Sequence, residues 1–206
     1  MFGTLASPLA GSLVALEPLE ERHLEDLRVA ASDPRVSAWL PVPLHEPSWF
    51  DWWRADAASA WESQRDVTFA TVRRADGVAI GSTRFLELRE RDRGVEIGWT
   101  WLAPQAWQTG ANVEAKLLML RRAFDDAGCI RVELKTDARN VRSRAAMAAL
   151  PAQFEGIHRQ HRVLLDGTLR DSAWYSVLDR EWPDVRANLE RRLTARAIDA
   201  RRIDPL

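Results

Sequence analysis

Residues 107–112, Trp-Gln-Thr-Gly-Ala-Asn, join a strand-like stretch, "VEIGWTWL", to a helix-like one, "ANVEAKLLMLRRAFDDA". A strand that feeds directly into a helix leaves the first helical N–H groups without internal partners. The partial positive charge gathered there suits an anion such as phosphate. Gly110 allows close approach because it has no β-carbon, Ala111 keeps the next position small, and Thr109 and Asn112 add side-chain hydrogen bonds. A Thr or Asn cap on an ordinary core helix would give the same pattern. Glu96 is a carboxylate in an otherwise apolar strand; simple alternation sets Val95, Ile97 and Trp99 on one face and turns Glu96 to solvent on the other. Glu133 and Lys135 in "RVELKTD" alternate in the same way. His158 and His161, three apart in a strand, are expected on opposite faces, and His23 and His45 have no ligand partners in view, so no metal is expected.

Composition narrows the classes. The 206 residues suit one domain, with 46% apolar and 29% charged side chains. The 29 basic and 30 acidic groups nearly cancel, so no nucleic-acid partner is expected. No apolar run reaches the roughly 20 residues of a membrane span, and no membrane partner is expected. The N-terminal stretch lacks the positive start of a secretory signal, which makes a cytoplasmic location the expectation. Cys129 is the one cysteine and reads as a small core residue. Lys116 and Lys135 are the only lysines, and five of the ten tryptophans (Trp39, Trp49, Trp52, Trp53 and Trp61) crowd one segment.

The elements that must position these groups follow from periodicity and turn chemistry. "GSLVALEPL" reads as a strand and "EERHLEDLRVAAS" as a helix. Pro34, Pro41, Pro43 and Pro47 exclude continuous helix up to Ser48, which could cap "WFDWWRADAASAWESQ". "VTFATVRR" and "VAIGSTRFLEL" flank Ala-Asp-Gly as a hairpin. The strand "VEIGWTWL" and the long helix follow. Then come the strand "CIRVELKTD", a short helix "NVRSRAAMAAL", two strands around "LDGT", and a helix expected to begin after Pro183. The order β-α-α-β-β-β-α-β-α-β-β-α predicts an α/β (α+β) mixed sheet in a single domain, 1–206, with a core of about 10–183 and a C-terminal helix over 184–206.

"VEIGWTWLAPQAWQTGANVEAK" resembles the acetyl-coenzyme A motif of the GNAT acetyltransferase superfamily, most closely its RimJ/RimL-like branch. Leu102-Ala103-Pro104 fits the family's aliphatic-x-Pro strand end, Trp107-Gln108-Thr109-Gly110-Ala111-Asn112 its pyrophosphate turn, and Glu114-Ala115 the pair that follows. "DARNVRSRAAMAALPAQFEG" resembles a second signature, in which Asn140 and Ser143 take the positions that meet the pantetheine arm. "DGTLRDSAWYSVLDREWP" resembles the terminal hairpin. Trp107, Gln108, Asn112 and Pro151 depart from the usual residues, three of them inside the turn.

The resemblance implies a GNAT fold and an acetyl-CoA-dependent N-acetyltransferase. A primary amine, on a protein or peptide N-terminus or a small molecule, would attack the thioester directly. It implies cofactor contacts from Trp101, Leu102, Trp107, Gln108, Thr109, Gly110, Ala111, Asn112, Asn140 and Ser143, and an oxyanion site along residues 100–102. Glu96 is the first choice for the base; Ser143, ahead of Tyr175, for the acid. The tryptophan-rich segment would cover the acceptor entrance, where Asp51, Asp56 and Glu46 are candidates to hold a cationic amine. A homodimer is common among such proteins. The alternative is a catalytically silent acetyl-CoA-binding sensor or assembly protein of the same fold. Arg186, Arg191, Arg192, Arg196, Arg201 and Arg202 on the last helix read as a solvated face, then as a dimer contact.

Overall fold

A computed structural model describes residues 1–203 of the protein, with side chains through Arg196 in the last helix. Eight strands form one sheet, β1 (Leu9–Ala10), β2 (Val14–Pro18), β3 (Val67–Arg73), β4 (Ala79–Arg89), β5 (Gly94–Leu102), β6 (Arg131–Asp137), β7 (Gln153–Val163) and β8 (Leu169–Leu178). Their spatial order is β1-β2-β3-β4-β5-β6-β8-β7. Every pairing is antiparallel except β5 with β6. Seven α-helices are described: α1 (Phe2–Leu5), α2 (Leu24–Ala31), α3 (Pro34–Ser37), α4 (Pro47–Glu62), α5 (Ala111–Arg121), α6 (Val141–Ala149) and α7 (Trp182–Ile203). This is the expected mixed α/β sheet, extended at the N-terminus by α1 and the short β1. Among the described residues no helix is long and apolar enough to cross a membrane.

Two helix starts differ from expectation for one reason. Pro47 occupies the first turn of α4, whose N-cap is Glu46 rather than Ser48, and α7 begins at Trp182 with Pro183 already inside. Proline is accommodated there because the N–H it lacks has no helical partner. The last three residues of the expected C-terminal helix, and the side chains of Arg201 and Arg202, lie outside the described residues.

The two faces of the sheet carry separate cores. On one, Val95, Ile97, Val132, Leu134 and Tyr175 pack with Ala115, Leu118 and Met119 of α5, and Cys129 is buried among them as expected. On the other, Phe50 and Trp53 of α4 and Leu27 of α2 pack against Ala70, Val72 and Trp101.

A β-bulge resets the alternation in β5. Arg84 pairs with Gly98 and Ser82 with Trp101, so Thr83 faces two residues, and Trp99 takes φ +48°. Trp99 therefore leaves the face of Val95 and Ile97. It crosses to the second core, 6.5 Å from the Trp52 ring and 5.0 Å from the Arg84 guanidinium. Bulges of this kind re-aim side chains beside functional clefts. A second bulge, between His158 and Arg162 of β7, corrects the expectation for the histidines. Gln160 takes φ +49°, its N–H donates to Asp171, and the His158 and His161 rings both pack on Trp174, 5.9 Å from each other. Even so, no group of three metal-ligating side chains occurs among the described residues.

The opening of α5 is fixed by Glu114, buried in its first turn. This carboxylate accepts from the Ser12 N–H (2.9 Å) and hydroxyl (2.7 Å) and from the N–H groups of Leu13 and Val14 (both 2.7 Å). It thus satisfies the start of β2 and its acidic charge suits the helix N-terminus. Glu114→Ala strands three backbone donors, a loss of about 3 kcal/mol that should lower the thermal midpoint by about 6–12 °C. A calorimetric scan with an unchanged midpoint would remove this latch from the account of the fold.

Candidate active site

The parallel pair β5 and β6 is in register only at Gly94↔Arg131, Val95↔Val132 and Glu96↔Glu133. Beyond Glu96 the strands part, β5 turning toward β4 and β6 toward β8. The gap opens into a cavity of about 420 Å³. Its walls come from β4 to β8, the start of α5, α6, α3 and the residues after it, and the body of α7.

At one end lies the turn that opens α5. Gly110 takes φ +100° as N-cap and Gln108 takes φ +65°. The first helical bond runs from the Glu114 N–H to the Gly110 carbonyl. The N–H groups of Gln108, Thr109, Gly110, Asn112 and Val113 therefore have no protein acceptor among the described residues. Thr109 props the turn, its hydroxyl donating to the Ala106 carbonyl at 2.8 Å and accepting from Ala111 N–H. Trp107 holds the preceding segment through Nε1–H to the Leu102 carbonyl, 2.8 Å. Trp107, Gln108, Gly110 and Asn112 line the cavity, as do Trp101 and Leu102; Thr109 and Ala111 support it from behind. The Asn112 Oδ1 is buried without a partner among the described residues.

Guanidinium groups surround this turn. Arg142 stacks 4.2 Å and Arg35 5.5 Å from the Trp107 ring, and Arg196 donates to the Gln108 carbonyl. Arg192 donates to Ala149 at 2.8 Å, and it too faces the cavity. The α7 arginines read from sequence as a solvated face thus divide: Arg192 and Arg196 belong to the cleft. On the neighbouring wall the Asn140 side chain caps α6 by accepting from Ser143 N–H, 3.0 Å. The Ser143 hydroxyl makes no hydrogen bond among the described residues and lies on the cavity wall. Tyr175 lies elsewhere, buried in the core against α6, its hydroxyl accepting from Arg144 Nε at 3.1 Å.

In the cleft itself Glu96 stands at the last paired position. It is on the face opposite Val95, as alternation requires, yet only 1% exposed. Its Oε2 meets Lys135 Nζ at 2.5 Å, and Lys135 in turn sits 4.9 Å from the Trp174 ring. Burial pushes the Glu96 carboxyl up from the ordinary carboxylate range, against the pull of Lys135. Gly98 makes room for it, since a β-carbon there would stand 3.0 Å from Glu96 Oε1. Of the five clustered tryptophans, Trp39 alone is on the cavity wall; Trp53 packs on Trp101 at 5.6 Å. The carboxylates suggested for a cationic amine are already paired, Asp51 with Arg28 and Asp56 with Arg84 and Arg65. Glu46 is the exposed N-cap of α4.

Residues 14–152 match the family model described as the acetyltransferase (GNAT) domain. The chain belongs to the GNAT acetyltransferase family. A GCN5-related N-acetyltransferase from Brucella melitensis superposes with TM-score 0.82 at 31% identity, over 90% of this chain and 85% of that one. A protein of T. thermophilus described as a candidate acetyltransferase gives TM-score 0.78 at 36% identity, over 91% and 97%. Mycobacterium smegmatis RimJ in complex with CoA-disulfide gives TM-score 0.77 over 91% and 95%; at 19% identity it shares the fold. No curated protein matches the chain. Fold and family together support an acetyltransferase.

This GNAT chain, otherwise reliant on arginine, places both of its lysines on the cavity wall. Lys116 was not a sequence candidate; read alone, it is an ordinary helix residue. It is 8% exposed and has no carboxylate partner among the described residues; Nζ donates to Thr100 Oγ1 at 2.7 Å and lies 3.4 Å from Thr83 Oγ1. Burial brings its pKa down from 10.5 to about 7. An arginine there would remain charged. The unfolded chain then binds a proton that the folded one has released between pH 7 and 10.5, so stability rises with pH across that window. Denaturant unfolding should show Lys116→Met more stable than the parent at pH 6–7 by a few kcal/mol, with the gap closing toward pH 10. A pH-independent difference would mean that Lys116 titrates normally.

Proposed function

We propose that the protein is an acetyl-CoA-dependent N-acetyltransferase acting on a primary amine through direct attack in a ternary complex. The observation that carries this reading is the pairing of two features along one cleft: a turn of unpaired amides ringed by arginines, and a buried carboxylate where β5 and β6 part.

The residues present fit the cosubstrate. The free amides of Gln108, Thr109, Gly110, Asn112 and Val113, with Arg142, Arg192 and Arg196, suit its diphosphate, since helix-start donors and guanidinium groups both favour phosphate oxygens. Asn140, Ser143, Trp101 and Leu102 flank the path of the pantetheine arm between the parted strands. Acetyl-CoA supplies an activated thioester carbonyl that an amine can attack.

The chain's own groups divide the remaining work. Glu96 takes the proton that the attacking amine must lose, its raised pKa bringing it nearer to neutral pH than an ordinary carboxylate. N–H groups along Thr100–Leu102, on the side of β5 that β6 has left, donate to the carbonyl oxygen as charge develops on it. As the carbon–sulfur bond breaks, the thiolate receives a proton from Ser143, whose hydroxyl faces the cleft; Tyr175, enclosed in the core, is the weaker candidate. The acceptor is a small-molecule amine or a peptide N-terminus, approaching past Trp39 and Trp99. We take residues 1–206 as one catalytic domain of cytoplasmic origin, in the RimJ/RimL-like branch.

The test is thiol release from acetyl-CoA against a panel of amines. Glu96→Gln should lower kcat by about 100-fold or more while leaving CoA affinity intact. Lys135→Met removes the charge that holds Glu96 down, so the acidic limb of the pH–rate profile should move to higher pH. An unmoved limb in Lys135→Met, or full turnover in Glu96→Gln, would exclude Glu96 as the base.

A further inference from the structure

On β8, Arg170, Ser172 and Trp174 share the face that carries Glu96 and Lys135, opposite the core face of Ala173 and Tyr175 that packs toward α5. Arg170 lies two residues beyond the last β6–β8 pair, Asp137↔Ser172, and opposite Arg162 of β7. It is 7% exposed and lines the cavity, as does Arg162. Its side chain makes no hydrogen bond and no ion pair among the described residues, and Nε is enclosed with no acceptor. A buried guanidinium with no directly bonded counter-charge is costly; Asp137 and Glu96 attract it from a distance, but each is already bonded to another cation. Asp137 is bound by Arg139 through both oxygens, at 3.0 and 2.8 Å, and Glu96 is held by Lys135. Among the described residues Glu96 is therefore the one carboxylate of the cavity wall, set against Arg162, Arg170 and Lys135. This end of the cleft carries an excess of positive charge although its expected occupant is an amine.

The contradiction resolves if the amine brings its own anion. Resting on the acetyl-transfer reading above, we propose that Arg170, with Arg162 beside it, receives a carboxylate of the acceptor. The substrate class is then a compact amine that also bears a carboxylate, as an amino acid does. Five N–H donors in a rigid fork match the two oxygens of a carboxylate, and Arg170 is largely withdrawn from solvent, so the contact is strong and directional. The charge balance also disfavours polyamines, which would add cations to an already positive pocket. A cavity of about 420 Å³, shared with the pantetheine arm, leaves space for a small acceptor. Arg170 stands on the face of the sheet opposite the one that packs with α5, so we assign its anion separately from the cosubstrate's diphosphate.

The full chain with acetyl-CoA should be assayed by thiol release on amino acids, each compared with its carboxamide and its decarboxylated amine. The carboxylate-bearing member should exceed its amide by roughly 100-fold in kcat/KM, although the amide's less basic amine is more largely neutral. Arg170→Met should erase that preference, lowering turnover of the acid and sparing that of the amide, with CoA affinity unchanged by calorimetry; Arg170→Lys should retain part of it. Equal use of acid and amide by the parent, or a loss of CoA affinity in Arg170→Met, overturns the assignment of Arg170 and leaves acetyl transfer standing. Absence of thiol release from every amine counts instead against acetyl transfer. The same pairs titrated onto the CoA-bound protein then read the preference: tighter binding of acids that Arg170→Met abolishes supports the carboxylate site, and indifference rejects it.

Discussion

Parallel strands β5 and β6 hold together for three residues and then separate, and the rest of the site follows from that parting. Backbone groups that a continuous ladder would have consumed become available to something else. The polar side chains placed nearest the fork become cavity wall instead of sheet surface. The Trp99–Thr100 bulge turns β5 away from its former partner, while β6 is drawn off by its long antiparallel pairing with β8. Glu96 and Lys135 face each other across the fork, one from each strand. The same ion pair thus joins the last paired residues to the chemistry proposed for them.

Charge is distributed along the cleft in an ordered way. Arginines gather at the α5 turn, where donors that remain protonated suit phosphate. The two lysines occupy the interior, where burial brings the Lys116 pKa down to about 7 and Lys135 is paired with Glu96. Arg84, also enclosed, is offset by Asp56 and by the faces of Trp99 and Trp53, so it stiffens the wall rather than serving the cavity. Its ion pair with Asp56 sets it apart from Arg170, which is also buried but has no ion pair among the described residues.

Much of this was legible in the sequence, and the limits have physical causes. Periodicity and turn residues gave the order of the sheet's main strands and helices, because those signals are local. The turn at 107–112 was legible because Gly110 and the strand–helix junction are local too. Alternation failed at Trp99 and His161, since a bulge depends on hydrogen bonding to a neighbouring strand and leaves little trace in residue type. It succeeded for the face of Glu96 but not for its burial or for its partner Lys135, 39 residues away in sequence. Lys116, Arg170, Arg192 and Arg196 join the cleft only through tertiary packing. The scarcity of lysine was visible from the outset; its meaning required the cavity.

The central claim is that unpaired amides at the α5 turn grip the diphosphate of coenzyme A while the arm runs between the parted strands. Amide hydrogen exchange with and without CoA tests it most directly. Slowed exchange concentrated in residues 108–113 and along β5 beyond Gly98 is the result expected. Unchanged exchange in those segments at saturating CoA, or protection confined to another part of the chain, would contradict it.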